Sequence, residues 1–239
     1  PTGSLRISSI GKIQELKGFK EGAWWVQDTA ASIPARVLIA SLQNYQKPKI
    51  LDVCAAPGGK TAQLATSQNY VIAVDRSKSR SKLLQENMKR LNLTVKIVTS
   101  DITNYKPKSP VDGILLDAPC TATGTIRRHP DILHNKQPED VLRLAKIQLE
   151  LLKAAVEFLK PDAILIYSVC TLQPEEGPRV IQKLLSLRDK LKRVPIDPLE
   201  FGLPQSAQAR TGDLRTLPFH LGKLGGMDGF YISRLKLVS

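Results

Sequence analysis

The sequence predicts an α/β domain, a mostly parallel sheet with helices on both faces. Three observations carry this. From Lys49 onward, apolar runs of strand length alternate with segments whose apolar residues recur at helical spacing. Such alternation implies parallel strands joined by helices that cover both faces. And the first run, Ile50 to Val53, leads through Pro57-Gly58-Gly59 into the helix start Thr61-Ala62-Gln63-Leu64-Ala65, a strand–turn–helix unit of the kind that holds nucleotide-like ligands.

Residues 1–48 are expected to form an N-terminal cap or helical extension, and residues 49–239 the main domain. In the cap, Ile10, Ile13, Leu16 and Phe19 share a helix-compatible spacing that Gly11 and Gly18 interrupt, and Trp24 and Trp25 read as packing anchors. Thr29 to Leu42 reads as a helix with Ala30, Val37, Leu38 and Leu42 inward. Its Pro34 falls early, where proline is best tolerated. Strands are predicted at Lys49–Val53, at Tyr70–Val74 ending on Asp75, at Val95–Thr99 with Asp101 just beyond, at Val111–Leu116 ending on Asp117, and at Ala163–Tyr167 leading to Ser168-Val169-Cys170. Helices are predicted from Ser77 to Leu91, Pro138 to Leu159 and Glu175 to Leu187. The longest repeats Val141, Leu144, Ala145, Leu151, Leu152, Ala155 and Leu159 at helical spacing; Pro138, Glu139 and Asp140 suit its start and Pro161 its end. The tail reads as a strand at Val194–Ile196, a loop from Asp197 to Gly212 and a last strand at Phe230–Leu237.

Thirty-five Lys and Arg against 22 Asp and Glu give a net charge of +13. That excess favours a polyanionic partner, most simply nucleic acid; the plain alternative is a merely basic soluble protein. An aromatic content of 5% argues against a broad base-stacking platform, although base stacking remains the competing reading of the tryptophans. No run approaches the roughly 18 apolar residues of a membrane span, and no secretory signal pattern opens the chain. Cys54, Cys120 and Cys170 are odd in number and widely spaced, which suits neither a disulfide framework nor a zinc site. His129, His134 and His220 are too scattered to hold a metal. A reduced, cytoplasmic protein is expected. The first residue is Pro1 rather than Met, as in a fragment.

The glycine turn fits neither the dinucleotide pattern G-x-G-x-x-G nor the phosphate loop G-x-x-x-x-G-K-[ST]. An adenosine ligand without a phosphate chain, such as S-adenosylmethionine, fits better; a purely structural turn is the competing reading. Parallel strands bring their C-terminal ends to one edge, where ligands bind. That edge collects Cys54 to Lys60, Asp75, Asp101, Asp117 with Cys120, and Cys170. Asp75, about 20 residues past the glycine turn, suits ribose hydroxyls, and Asp101 can reach an adenine amino group. Cys54 reads as wall. The other two thiols, with Asp117 three residues before one of them, suggest nucleophilic chemistry. Cytosine C5 is a poor nucleophile until a thiolate adds to C6. A carboxyl at N3 then stabilises developing charge, and a base must remove the C5 proton before the thiolate leaves. Thiol, carboxyl and second thiol match these needs; which thiol attacks is left open by the chemistry.

Asp52-Val53-Cys54-Ala55-Ala56-Pro57-Gly58-Gly59-Lys60-Thr61, Asp117-Ala118-Pro119-Cys120-Thr121-Ala122-Thr123-Gly124, Arg127-Arg128-His129-Pro130-Asp131 and Tyr167-Ser168-Val169-Cys170-Thr171 closely resemble the Sun/Fmu family of RNA cytosine-5 methyltransferases. The resemblance runs from Gly22 to Tyr231. It implies a Rossmann-like S-adenosylmethionine-dependent methyltransferase domain at 49–239. The donor is expected at Cys54, Ala55, Ala56, Pro57, Gly58, Gly59, Lys60, Asp75, Asp101 and Asp117. The resemblance assigns the nucleophile to Cys170 and product release to Cys120, whereas DNA cytosine methyltransferases use the cysteine of the Pro-Cys motif, here Cys120. It implies RNA as partner, with 16S (small-subunit) ribosomal RNA the leading substrate. Another RNA such as tRNA, or a non-catalytic RNA-binding or ribosome-assembly module, is the alternative. The target cytosine must be unstacked and inserted, and Arg127, Arg128 and His129, just beyond Cys120, are the candidates for flanking phosphates. Full-length bacterial members also carry an N-terminal helical RNA-binding domain that is not in this sequence, which reads as a catalytic fragment or a shorter relative.

Overall fold

The computed structural model describes residues 4–7, 11–67 and 69–239. Its regular elements are, in chain order, α1 (Thr29–Ser41), β1 (Lys49–Val53), α2 (Gly59–Thr66), β2 (Tyr70–Asp75), α3 (Lys78–Arg90), β3 (Lys96–Thr99), β4 (Val111–Asp117), α4 (Ile132–Asn135), α5 (Pro138–Val156), β5 (Leu159–Val169), α6 (Pro178–Leu185), β6 (Leu191–Arg193), β7 (Leu214–Thr216) and β8 (Phe230–Leu237). The strands form one sheet in the order β3-β2-β1-β4-β5-β8-β6, with β7 also paired to β8. β3, β2, β1, β4 and β5 run parallel; β8 is antiparallel to β5, and β6 and β7 to β8. β2 lies to one side of β1 and β4 to the other, so the strand order reverses there. The crevice beyond their C-terminal ends is the topological switch point at which open α/β sheets bind ligands.

Alternate residues of each central strand feed opposite layers. Leu51, Val53, Ile114, Leu116, Leu165 and Tyr167 pack with Leu152 and Ala155 of α5 and with Ile181 of α6. Ile50, Leu115, Ile166 and Ile232 pack with Ile33, Val37 and Leu38 of α1. Each such side chain buried contributes about 1.5–3 kcal/mol. Local signals set the helix starts. Asp28 caps α1 by accepting from Ala30 N at 2.8 Å, Ser77 caps α3, and Gln137 and Asp140 form a capping box on α5 with Pro138 in its first turn. No helix among the described residues is long and apolar enough to cross a membrane.

Several boundaries differ from the sequence reading. The long helix ends at Val156, and β5 begins at Leu159 rather than Ala163. Leu159 pairs with Val111 and Ile164 with Gly113, so Lys160, Pro161 and Asp162 bulge outward. Pro161 therefore sits in a strand bulge, where its missing N–H is not needed. The helix expected from Glu175 starts at Pro178, and Glu175 and Glu176 lie in the turn before it. The strand expected at Val194–Ile196 is β6, three residues earlier; Val194 N still bonds Arg234 O. β7 and α4 lacked a sequence signal, being three and four residues long. In the cap, Ile10 lies outside the described residues and Ile13–Glu15 forms a single 3₁₀ turn. Trp24 packs edge-on against Phe19 and donates its indole N–H to Lys17 O.

Candidate active site

The turn after β1 is built for close approach. Cys54 has φ +61°, and Gly58 has φ +108°, where an added Cβ would stand 2.6 Å from Leu84 Cδ1. Only glycine meets both demands at position 58. Asp75, buried at the end of β2, holds the turn in place: Oδ2 accepts from Ala56 N at 3.1 Å and Oδ1 from Ser77 N at 3.0 Å. Arg80 donates to Ala56 O. A cavity of about 580 Å³ lies against this turn, lined by Cys54, Asp75, Asp101, Asp117, Cys120 and Cys170 among others. Thus all of the strand-end acids and thiols expected on one edge do meet there. Asp101 accepts from Thr103 N and its hydroxyl, which hold its carboxyl below the usual range. Burial, with the nearby acids, pushes the Cys54 thiol up to about 12, leaving it an inert wall.

Asp117 and Lys60 form a pair at 2.6 Å, and Ser168 Oγ donates to the other carboxyl oxygen at 2.8 Å. Asp117 also borders a second cavity of about 610 Å³ on the far side of the glycine turn, walled by Trp25, Lys60, Arg128 and His129 among others. Beyond Asp117, Cys120 and Cys170 bring their sulfurs to 3.4 Å. Hydrogen bonding to Cys170 and burial raise the Cys120 thiol well above its ordinary value. A polar cluster behind them joins Thr121, Thr123, Thr171, Gln148 and the fully buried Glu176.

The arginine loop is tied down. Arg128 forks onto Asp228, with Nε at 3.0 and 3.1 Å and Nη2 at 2.5 Å, and this raises the guanidinium's pKa further. Arg127 reaches Asp28 at 3.0 Å and Asp228 at 3.2 Å, and Asp228 N donates to Asp28 Oδ1. His129 is exposed beside Arg128. The sequence reading had no place for Glu176 or Asp228, because their partners are remote in the chain. Asp52 was legible inside the glycine motif but had no role. It is wholly buried, accepts from Thr61 Oγ1 at 2.6 Å, and burial pushes its carboxyl up to about 7.

The strand order, the glycine turn at the switch point and the acids along the carboxyl edge define the Rossmann-like fold class of S-adenosylmethionine-dependent methyltransferases. Comparison with known proteins narrows it. The family model described as 16S rRNA methyltransferase RsmB/F matches residues 38–236, and the chain belongs to that family. Ribosomal RNA small subunit methyltransferase B of Vibrio vulnificus is 39% identical over 77% of this chain and 43% of its own length. The probable ribosomal RNA small subunit methyltransferase B of Synechocystis is 37% identical over 99% of this chain and 52% of its own. The chain spans about half the length of such curated relatives. Among solved structures, NSun6 from Pyrococcus horikoshii with SFG superposes with a TM-score of 0.76 at 30% identity, covering 96% of this chain and 57% of that one. A methyltransferase homologue from the same organism gives 0.75 at 27%, covering 96% and 73%.

Proposed function

We propose that this chain is the catalytic region of an RNA (cytosine-5-)-methyltransferase that takes its methyl group from S-adenosylmethionine, acts on small-subunit ribosomal RNA in the cytoplasm, and works through a covalent cysteine–C6 adduct. The observation that carries this reading is the pair of sulfurs 3.4 Å apart, one strand end from Asp117. The donor's place is supported by the glycine turn after β1, where a Cβ on Gly58 would run into Leu84 of α3, and by the buried Asp75 that fixes that turn. The turn from Cys54 to Lys60, Asp75, Asp101 and Asp117 would hold it. When bound, S-adenosylmethionine supplies an electrophilic methyl. α1 completes one helical layer of the catalytic domain 49–239, with Ile33, Val37 and Leu38 in its core.

The residues divide the work as follows. Cys170 is the sulfur that adds to C6, forming the S–C6 bond, as the resemblance to RNA cytosine-5 methyltransferases implies; its Sγ lies 3.4 Å from that of Cys120. The proton that Cys170 gives up goes to N3, whose N–H then donates to the Asp117 carboxylate, held in position by Lys60 and Ser168. C5, now enamine-like, takes the methyl. Cys120, once its own proton has passed to solvent, takes the C5 proton; the C5–H electron pair restores the C5–C6 double bond, the S–C6 bond breaks, and Cys170 leaves and regains the proton held at N3. Arg128 and His129 line the second cavity beside Asp117, and with Arg127 they are the candidates to hold flanking phosphates. A non-catalytic module is disfavoured because both thiols are present and face each other.

One gel tests this, with labelled RNA, methyl donor and two variants. Cys170→Ala should abolish methylation and any adduct. Cys120→Ala should methylate once and accumulate an RNA adduct that survives denaturing electrophoresis. An adduct with Cys170→Ala that is lost in Cys120→Ala would reverse the assignment.

A further inference from the structure

Glu176 takes no part in the steps above, yet it is 0% exposed next to both thiols and has no ion-pair partner among the described residues. A buried carboxyl persists only when its lone pairs are filled, and here four donors fill them. Oε1 accepts from Thr121 N at 2.9 Å and from Gln148 Nε2 at 3.0 Å. Oε2 accepts the hydroxyls of Thr121 at 2.5 Å and Thr171 at 2.8 Å. Thr121 directly follows Cys120, and Thr171 directly follows Cys170. One carboxyl thus grips the residue after each cysteine. Its grip extends on both sides. Gln148 of α5 also donates to Pro119 O, the residue before Cys120, at 2.9 Å, and the Tyr167 hydroxyl pins the Glu176 carbonyl at 2.6 Å.

We propose that Glu176 is a positioning residue for the two-thiol centre, registering the Cys120 loop against the Cys170 loop so that the sulfurs meet as donor and acceptor. A residue that only filled space here could be apolar, with less desolvation to offset. A carboxyl adds a second effect. The Cys120 thiol is raised first by its hydrogen bond to Cys170 and by burial, and then by the neighbouring charges, Glu176 among them. Glu176 therefore keeps the proton on Cys120 while Cys170 attacks, both by geometry and by charge. The purpose of this arrangement rests on the methyltransferase reading; the test does not.

The test is alkylation of the full chain by iodoacetamide across pH, with Cys120 and Cys170 read separately by peptide mass spectrometry. Glu176→Gln keeps the shape: its amide oxygen replaces Oε1, and its NH₂ faces hydroxyls that can turn to accept. The alkylation midpoint of Cys120 should fall by about one pH unit. Thr171→Val leaves the carboxyl in place but frees the Cys170 loop, and should lower the Cys120 midpoint as well. Leu152→Ala, in the core beneath the sheet, should lower stability and leave the midpoint where it was. An unchanged Cys120 midpoint in folded Glu176→Gln or folded Thr171→Val overturns the proposal, as does an equal fall in Leu152→Ala. If Glu176→Gln does not fold, Thr171→Val decides alone. Because neither RNA nor methyl donor is present, failure of the methyltransferase reading shows separately, as variants that shift as expected beside a wild-type protein that methylates nothing.

Discussion

At the scale of single residues, Asp52 is the group with most at stake. It is enclosed on all sides, its Oδ1 has no hydrogen-bond partner among the described residues, and burial pushes its carboxyl from 3.8 up to about 7. An acid whose folded pKa is raised binds more protons folded than unfolded, so stability falls as pH rises through that window. The loss amounts to roughly 4 kcal/mol between about pH 4 and pH 7 at most. Asp52→Asn, neutral at every pH, should remove this dependence and be the more stable protein at pH 8. Urea unfolding of both proteins at pH 5 and pH 8 checks it; parallel losses in the two proteins would show that Asp52 does not titrate in this range. Asp117, at the C-terminal edge of the same sheet, differs in that Lys60 and Ser168 occupy both of its oxygens.

At the scale of elements, the site depends on loops that clasp one another rather than on any one strand. Gly124, after β4, donates to Cys170 O after β5 and accepts from Gly229 N before β8. A Cβ on Gly124 would stand 2.0 Å from Gly229 O and 2.9 Å from Cys170 O, both backbone atoms that cannot swing away. Gly124→Ala should therefore push the cysteine loops apart, with about 1–3 kcal/mol lost to overpacking and adduct formation reduced more than about tenfold. Chemical denaturation, and the denaturing gel in a Cys120→Ala background where adduct accumulates, read the two effects. Full adduct yield in a destabilised Gly124→Ala would mean that loop apposition does not govern the thiols.

At the scale of the whole molecule, the net charge of +13 sets the approach of a polyanion. Log affinity for single-stranded RNA should fall linearly with log salt, each neutralised phosphate adding about 0.7 to the slope. Arg128→Ala should make that slope shallower by up to about 0.7. It should also destabilise the protein, because Asp228, 0% exposed, loses its bidentate partner. Filter binding at several salt concentrations, alongside thermal unfolding, measures both; salt-independent binding would remove electrostatics from RNA recognition. Arg127 and Arg128 join the arginine loop to α1's cap and β8's entry.

The alternation of strands and helices, the glycine turn, the edge of the sheet and the identity of the two thiols were legible in the amino-acid sequence. Each is written in residues close together: an apolar run, a cap, a Pro-Gly-Gly turn or a Pro-Cys pair carries its own physical meaning. The parts that were not legible join residues far apart. Asp28 and Asp228 meet across 200 positions, and the sulfurs of Cys120 and Cys170 meet across 50. Glu176 looked like one of two acids at a helix start until the fold wrapped four donors around it. The outward bulge at Pro161 and the short β7 were likewise set by their partner strands β4 and β8. Local pattern determines which backbone conformation a segment prefers. It is silent on which buried polar groups will satisfy one another, because that depends on partners that only the packed sheet brings within hydrogen-bond reach.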